Sequence, residues 1–509
     1  MSIQNNSKIH NLEISLIAKG AGIFFIGSII GVGLRYIFEL VVARNLGPNQ
    51  FGLFFLGFSI LKIMEIVSTL GLHRGVLRYI ALFKGEGDEE RIKGTIILAI
   101  KVVIVVGLII SSFTILLSKF IASNIFHEAD LTNVLKIFAV AIPFTALTTT
   151  LVFATQSFKM MRYTIYVREI FEPAIRIIIV AIMFVIGWKL LGAIFALIIS
   201  LMMGTFLALY YLKNLFPNLT NKRIKPIYES RKIFDFSWPL LLAEFFGFIV
   251  IWINILMIGY FKASHEVGVY SASHRTALLG GIILVSFNSI FSPIIADFYN
   301  RKKFKRLEQL FKIVTKWILS ISFPVCLLMI FYASKILSLF GENFIPGTNC
   351  LVILSIAFFA NSVAGSSGIM IMMSGRSKIN LLNNTITAFL IIGLNFLLIP
   401  KYGIIGAAFS FLISVVLVNT IMLVEIYLIF KLHPFRIDFF KPLLAGGISF
   451  SILKLSTKHL INFDNPILLI ISGSLIFILI YVLIVYLLKI EEEDKIVLQR
   501  IKTKLLIFK

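Results

Sequence analysis

Charged side chains recur inside segments that are otherwise apolar, and many come in pairs. Arg35 and Glu39 stand four residues apart, hence on one face of a helix, and Lys62 and Glu65 stand three apart. Arg74 and Arg78 follow where the second apolar segment ends. Glu244 and Asn254 lie in the seventh segment, His274 and Arg275 in the eighth. Placing one such charge at the centre of a bilayer costs about 3 kcal/mol on insertion scales, so its default reading is a substrate or ion pathway. The cations suit an anionic group and the carboxylates suit exchange of a small ion. A second reading stays open for both pairs, namely mutual neutralisation within a packed helix bundle.

The fifth segment opens with Arg168, Glu169, Glu172, Pro173 and Arg176. Arg168, Glu172 and Arg176 form a ladder of alternating sign at four-residue spacing, which near a helix end reads as structural pairing with snorkelled side chains. Lys101, Lys312 and Lys316 read as snorkelled too, and Asn361, Asn395 and Asn419 as hydrogen-bonding glue between helices.

The elements that must position these residues are membrane helices. The 509-residue chain is 59% hydrophobic and only 14% charged, with a mean hydropathy of +0.97. It contains about fourteen apolar runs of the roughly 20 residues that a helical crossing needs. The alternation expected of barrel strands is missing, so the predicted class is an all-α polytopic membrane protein.

Six of those segments recur as a second set. Gln50-Phe51-Gly52-Leu53-Phe54 matches Glu266-Val267-Gly268-Val269-Tyr270 at an offset of 216, and Gly192-Ala193-Ile194-Phe195-Ala196 matches Gly406-Ala407-Ala408-Phe409-Ser410 at 214. Weak internal symmetry of this kind marks a two-lobed transporter with its site between the lobes. The expected division is a polar cytoplasmic lead at 1–15, an N-lobe at 16–212, a basic cytoplasmic linker at 213–232 and a C-lobe at 233–430. Two further helices fall at 431–488, outside the repeat, and a basic tail at 489–509. An even number of spans per repeat makes the repeats parallel, which renders spans one and two equivalent to spans seven and eight. Pro143, Pro239, Pro293 and Pro324, with Gly31, Gly33, Gly280 and Gly281, supply the bends and small residues that alternating access uses.

The net charge of +23 is distributed as topology rather than as a nucleic-acid footprint. With both termini inside, the clusters between 74 and 93, 213 and 232, 301 and 306, and 489 and 509 all become cytoplasmic, as the positive-inside rule requires. The tail alternates apolar and basic residues, which suits an amphipathic helix on the anionic inner leaflet or a solvated topogenic tail. No cleavable signal peptide is read at the first apolar run. Cys326 and Cys350 lie in or beside spans and support neither a disulfide framework nor a metal site. A Walker sequence is missing, and the loops are too short for a catalytic domain, which disfavours an ATP-driven pump and a membrane glycan polymerase or ligase.

With those segments in place, the chain resembles the polysaccharide-exporter (Wzx-like flippase) branch of the multidrug/oligosaccharidyl-lipid/polysaccharide exporter superfamily. The residues that carry the resemblance are Ala43-Arg44-Asn45-Leu46-Gly47-Pro48, Phe51-Gly52-Leu53, Gly71-Leu72, Arg78-Tyr79-Ile80-Ala81, Val267-Gly268-Val269-Tyr270-Ser271-Ala272 and Leu398-Ile399-Pro400-Lys401-Tyr402-Gly403-Ile404-Ile405-Gly406-Ala407-Ala408. The resemblance implies two six-helix lobes around a cationic cavity lined by spans one, two, seven and eight. It also implies movement of a polyprenyl-(pyro)phosphate-linked oligosaccharide from the inner to the outer leaflet of the cell (plasma or inner) membrane. Spans thirteen and fourteen would then hold the lipid tail.

Arginines on spans one, two and eight hold the pyrophosphate in related lipid-precursor flippases, and here those spans carry Arg35, Lys62 and Arg275. The substrate-binding candidates are these three with Arg74, Arg78, Asn254 and His274. The ion-coupling candidates are Glu39, Glu65 and Glu244, which would take H⁺ or Na⁺; no other cofactor and no metal is expected. The expected partners are the lipid-linked oligosaccharide, membrane lipids and glycan polymerases or transferases, with no nucleic acid, and the expected state is a monomer. The alternative within the superfamily is a cation-coupled multidrug antiporter.

Overall fold

The computed structural model describes residues 2–459 and 465–488, with side chains from 26 to 455 and from 465 to 488. The described residues are mostly helical, with no strand among them. Among the described residues, ten helices are long and apolar enough to cross a membrane. Two of these hold two crossings each. Ser2–Thr69 breaks at Gly47 (φ 71°) and Ser377–Phe430 at Gly403 (φ 55°), backbone conformations that a side chain resists. Pro48 follows the first break, where a missing N–H costs nothing at the start of the next helix.

Two more crossings fall short of the length or hydropathy that defines the ten. The fifth is continuous through Met161–Thr164, Ile165–Phe171 and Glu172–Val185, but its middle section is π-helical. The thirteenth, Phe440–His459, is diluted by Lys441 and Lys454. The described residues therefore hold fourteen crossings, six and six and then two, as the apolar runs predict. The basic tail at 489–509 lies outside the described residues.

The chain divides into two compact units, Met1–Ala272 with Asn384–Ala407, and Ser273–Asn383 with Ala408–Lys509. In the first, Val76, Ile80, Phe83, Ile92, Ile96, Leu151 and Leu212 make one buried cluster beneath the second to sixth spans. The glycines of the repeat have matching roles there. A Cβ on Gly192 would meet Met183 at 2.8 Å on the preceding span, and one on Gly406 would overlap Leu398 on its own preceding span. Gly52 and Gly268 meet at one crossing: a Cβ on Gly52 would overlap the Ser264 carbonyl, and one on Gly268 would overlap that of Pro48. Ser264 closes this crossing by donating its backbone N–H to Glu128 Oε1 at 2.8 Å and its hydroxyl to Asn49 Oδ1. The second unit seats the two surplus helices on the ninth span. Tyr481 donates to the Ser320 carbonyl at 2.8 Å, and Tyr332, Leu453 and Phe477 are buried together. The outer face of the fourteenth span, including Ile471, Leu475, Leu479 and Leu483, is exposed apolar surface suited to lipid.

The basic segment 213–232 is docked rather than loose. Lys93, only 6% exposed, donates to the carbonyls of Asn221 at 2.5 Å and Ile224 at 3.0 Å. Ile227 N–H donates to the Glu90 carbonyl at 3.1 Å, and Asn218 donates to Glu89 Oε2 at 2.7 Å. Charged donors of this kind contribute about 1.5–3 kcal/mol per bond. Lys93→Met is therefore expected to free the segment locally, and trypsin cleavage at the exposed Lys222 and Arg223 should become at least about tenfold faster while the melting of the helices changes little. Unchanged cleavage would show that Lys93 does not hold the strap.

Candidate functional site

The predicted pairs sit in a wider network that spans four helices of the first unit. Arg35 donates through Nη1 to Glu169 Oε2 at 2.8 Å, so its ion pair crosses to the fifth span rather than running along its own helix to Glu39. Glu39 is partly buried on the same span. Lys62 and Glu65 do pair along their helix, Nζ to Oε2 at 2.7 Å. Thr149 of the fourth span donates to the other Glu65 oxygen at 2.6 Å, and Arg168 of the fifth donates to the Thr149 hydroxyl. The chain Arg168–Thr149–Glu65–Lys62 thus ties three spans together. Arg176 donates to the Ser200 hydroxyl at 3.2 Å and lies 5.5 Å from the Phe38 ring centre.

The fifth span reaches both partners because its helix widens. Glu172 N–H donates to the Val167 carbonyl, a five-residue step, and Pro173 has no N–H to restore the tighter pattern. Glycines on the first span admit the approach: a Cβ at Gly27 would overlap Ile165, and one at Gly31 would overlap Glu169. The pairs rise together along the two helices, 27 with 165, 31 with 169, 38 with 176, so first and fifth spans run parallel. Gly33 meets nothing within 4 Å.

A second cluster joins candidates that the sequence separates. Glu244 on the seventh span bonds His73 Nε2 at 2.7 Å and Arg74 Nε at 3.1 Å through the same oxygen. Arg74 and His73 both pack on Phe153, at 5.1 and 4.7 Å. Arg78, one turn on, stacks 4.3 Å from the Phe236 ring and is exposed. Arg74 is 48% exposed, so part of its guanidinium remains open to a ligand.

Asn254 lies inside helix packing. It is 2% exposed, donates to Tyr270 Oη at 2.9 Å and accepts from Asn395 at 2.7 Å, the glue role expected of Asn395. Asn419 and Asn361 bond at 3.0 Å in the second unit in the same way. His274 is 5% exposed, with its ring against Phe358 and Phe411 at about 6 Å, while Arg275 beside it is partly exposed. Lys312 pairs with Glu308 at 2.6 Å near the start of the ninth span.

Arg168, Glu169 and Thr149 are the participants that a reading of pairs passes over. The signal for the first two is their adjacency. Neighbouring residues of a helix point about 100° apart, so a ladder that includes Arg168 leaves Glu169 to find a partner on another helix. Thr149 carries no such signal, standing in the run Thr148-Thr149-Thr150. The arrangement as a whole presents partly exposed guanidinium and ammonium groups, Arg35 at 38% and Lys62 at 34%, each held by a carboxylate. An anion with several oxygens can compete for such donors, and Arg35 can offer it a planar fork.

Comparison with known proteins agrees with this architecture. The polysaccharide biosynthesis protein family matches residues 17–299, and the MatE family matches 239–397. The chain is 24% identical over 390 residues to a putative O-antigen transporter of Shigella flexneri, covering 74% of this chain and 89% of that one. It is 24% identical over 410 residues to the probable low-salt glycan biosynthesis flippase Agl15 of Haloferax volcanii, covering 80% and 82%. Among solved structures it is similar to the lipid II flippase MurJ in an inward closed conformation, with a TM-score of 0.73 at 15% identity over 92% of this chain and 98% of that one. A multidrug resistance MATE family transporter in an inward-facing conformation follows at a TM-score of 0.66 and 15% identity, covering 84% and 96%. These structures share the fold, and the family match covers more than half of the sequence. The chain is a multi-pass membrane protein that belongs to the polysaccharide biosynthesis protein family.

Proposed function

We propose that this protein is a flippase that carries a polyprenyl-(pyro)phosphate-linked oligosaccharide from the inner to the outer leaflet of the cell membrane by alternating access. The observation that carries the reading is the set of partly exposed cations, Arg35, Lys62 and Arg74, each held by a carboxylate within apolar helices. Taking a pyrophosphate out of water is the hard step of such transport, and charge-assisted donors lower its cost. The names of the Shigella and Haloferax relatives support the same substrate class. In this reading both termini are cytoplasmic, the chain works as a monomer beside glycan polymerases or transferases, and H⁺ or Na⁺ supplies the drive. The MatE match over 239–397 favours a second reading, a cation-coupled antiporter of drugs. Cationic drugs would be repelled by Arg35 and Lys62 unless Glu169 and Glu65 outweighed them.

The test is the sidedness of the lipid-linked glycan in intact cells whose own flippase is removed. With this protein present, the glycan becomes accessible to an impermeant external probe; without it, the precursor collects on the inner leaflet. Equal accessibility in both cases would sink the flippase reading, and protection against cationic dyes in its place would favour the antiporter.

A further inference from the structure

Three carboxylates within the spans of the first unit are held by cations. Glu169 is held by Arg35, Glu65 by Lys62 and Thr149, and Glu244 by His73 and Arg74. Glu172 is different. It is 7% exposed, its Oε1 has no hydrogen-bond partner, and it forms no ion pair among the described residues. Its carboxyl group lies against the sixth span at Gly204, where a Cβ would overlap Oε1. The residue of the sixth span against it is the non-titrating Gly204. Its charged neighbours are Arg168 and Arg176, one turn away on either side on its own helix, with Glu169 beside them. Lys62 and Glu65 approach it from the second span, while Arg35 and Glu39 of the first span stand near Arg176.

Neither arginine is spent on Glu172. Arg168 donates to Thr149, and Arg176 to Ser200. A carboxylate buried without a donor is among the costliest groups a protein can hold, whereas the neutral acid costs far less. The contact with Gly204 suits the neutral form as well, since it supplies space and no donor.

We propose that Glu172 is a proton-binding site of the transport cycle. In the arrangement described it holds a proton; on releasing it, the new carboxylate draws Arg168 or Arg176 across one helical turn. Moving Arg168 breaks its bond to Thr149 and so reaches Glu65 and Lys62, while moving Arg176 frees Ser200. The O–H bond is the only covalent bond to change, and the proton leaves to water. Proton release thereby rearranges the cations that the proposed function assigns to the pyrophosphate, and that role rests on the flippase reading.

Two measurements test it. The first is independent of transport: infrared difference spectra of the purified protein between acidic and alkaline buffer. The wild type should show a protonated-carboxyl C=O band persisting at neutral pH that Glu172→Gln lacks, and identical spectra would overturn the proposal. The second uses vesicles of phosphatidylethanolamine and phosphatidylglycerol with a fluorescent polyprenyl-pyrophosphate glycan as probe. An imposed proton gradient should accelerate flipping at least fivefold in the wild type and in Glu172→Asp, and leave Glu172→Gln unaffected at equal protein abundance. A Glu172→Gln variant that responds like the wild type overturns the proposal. Wild-type protein that moves no glycan defeats the flippase reading instead, and the infrared result then still decides whether Glu172 holds a proton.

Discussion

Arg35→Ala should reduce delivery of the lipid-linked glycan by about ten- to a hundredfold, the rate equivalent of losing one charge-assisted contact worth about 1.5–3 kcal/mol. The difficulty is that Arg35 also neutralises Glu169, so the variant leaves a partly buried carboxylate without its partner. Breaking such a pair from one side is destabilising by up to about 3–5 kcal/mol, less where one partner is 38% exposed as here. A loss of transport by itself would therefore not separate binding from folding. The double variant Arg35→Ala/Glu169→Gln does so. It removes the orphaned charge, so membrane abundance should return to the wild-type level while transport stays low. Arg35→Lys keeps the charge and loses the planar fork, and should fall between the two. Wild-type glycan accessibility in the double variant, measured on intact cells, would make Arg35 a structural residue only.

That experiment exists because the sequence and the structure disagree about one partner. Four-residue spacing made Arg35 and Glu39 look like a pair, and spacing along one helix is all that a single segment can reveal. The partner, Glu169, became available through two features that spacing does not describe: a π-helical turn before Pro173, and Gly27 and Gly31 letting the fifth span approach. Lys62–Glu65 was legible because three residues of helix bring the two together whatever surrounds them. Glu244 with Arg74 was not, since they stand 170 positions apart. Hydropathy alone identified the fourteen crossings, because the bilayer demands internally bonded backbone over a fixed length. It missed the docking of 213–232 onto Lys93, as backbone carbonyls leave no mark on a sequence.

The second large effect is expected at Gly52 and Gly268, where the repeat first shows itself. Alanine at either position adds a single methyl group, which overpacking studies price at about 1–3 kcal/mol when side chains can yield. Here the obstacle is backbone: the Ser264 carbonyl faces Gly52, and the Pro48 carbonyl faces Gly268. Neither can rotate away, because Pro48 is fixed between Gly47 at φ 71° and the helix it starts, and Ser264 is pinned by Glu128 and Asn49. Each single variant should therefore fall at or beyond the upper end of that range, seen as a lower melting temperature in detergent and reduced monodisperse yield. The double variant should cost clearly less than the sum, since one separation of the two helices relieves both collisions. Strict additivity would mean that the two glycines do not share a crossing. Transport adds a second readout. If the crossing must open during the cycle, the variants that survive folding should flip substrate slower or faster without any change in the residues that hold pyrophosphate. If it is a permanent hinge, transport should track folded protein alone. Gly192→Ala is the internal control, because the repeat places it on the same kind of helix start but against the Met183 side chain, at 2.8 Å. The atom met there is Met183 Cβ, which cannot swing aside, but the approach is longer than the backbone overlaps at Gly52 and Gly268, so that variant should lose less than either partner of their crossing.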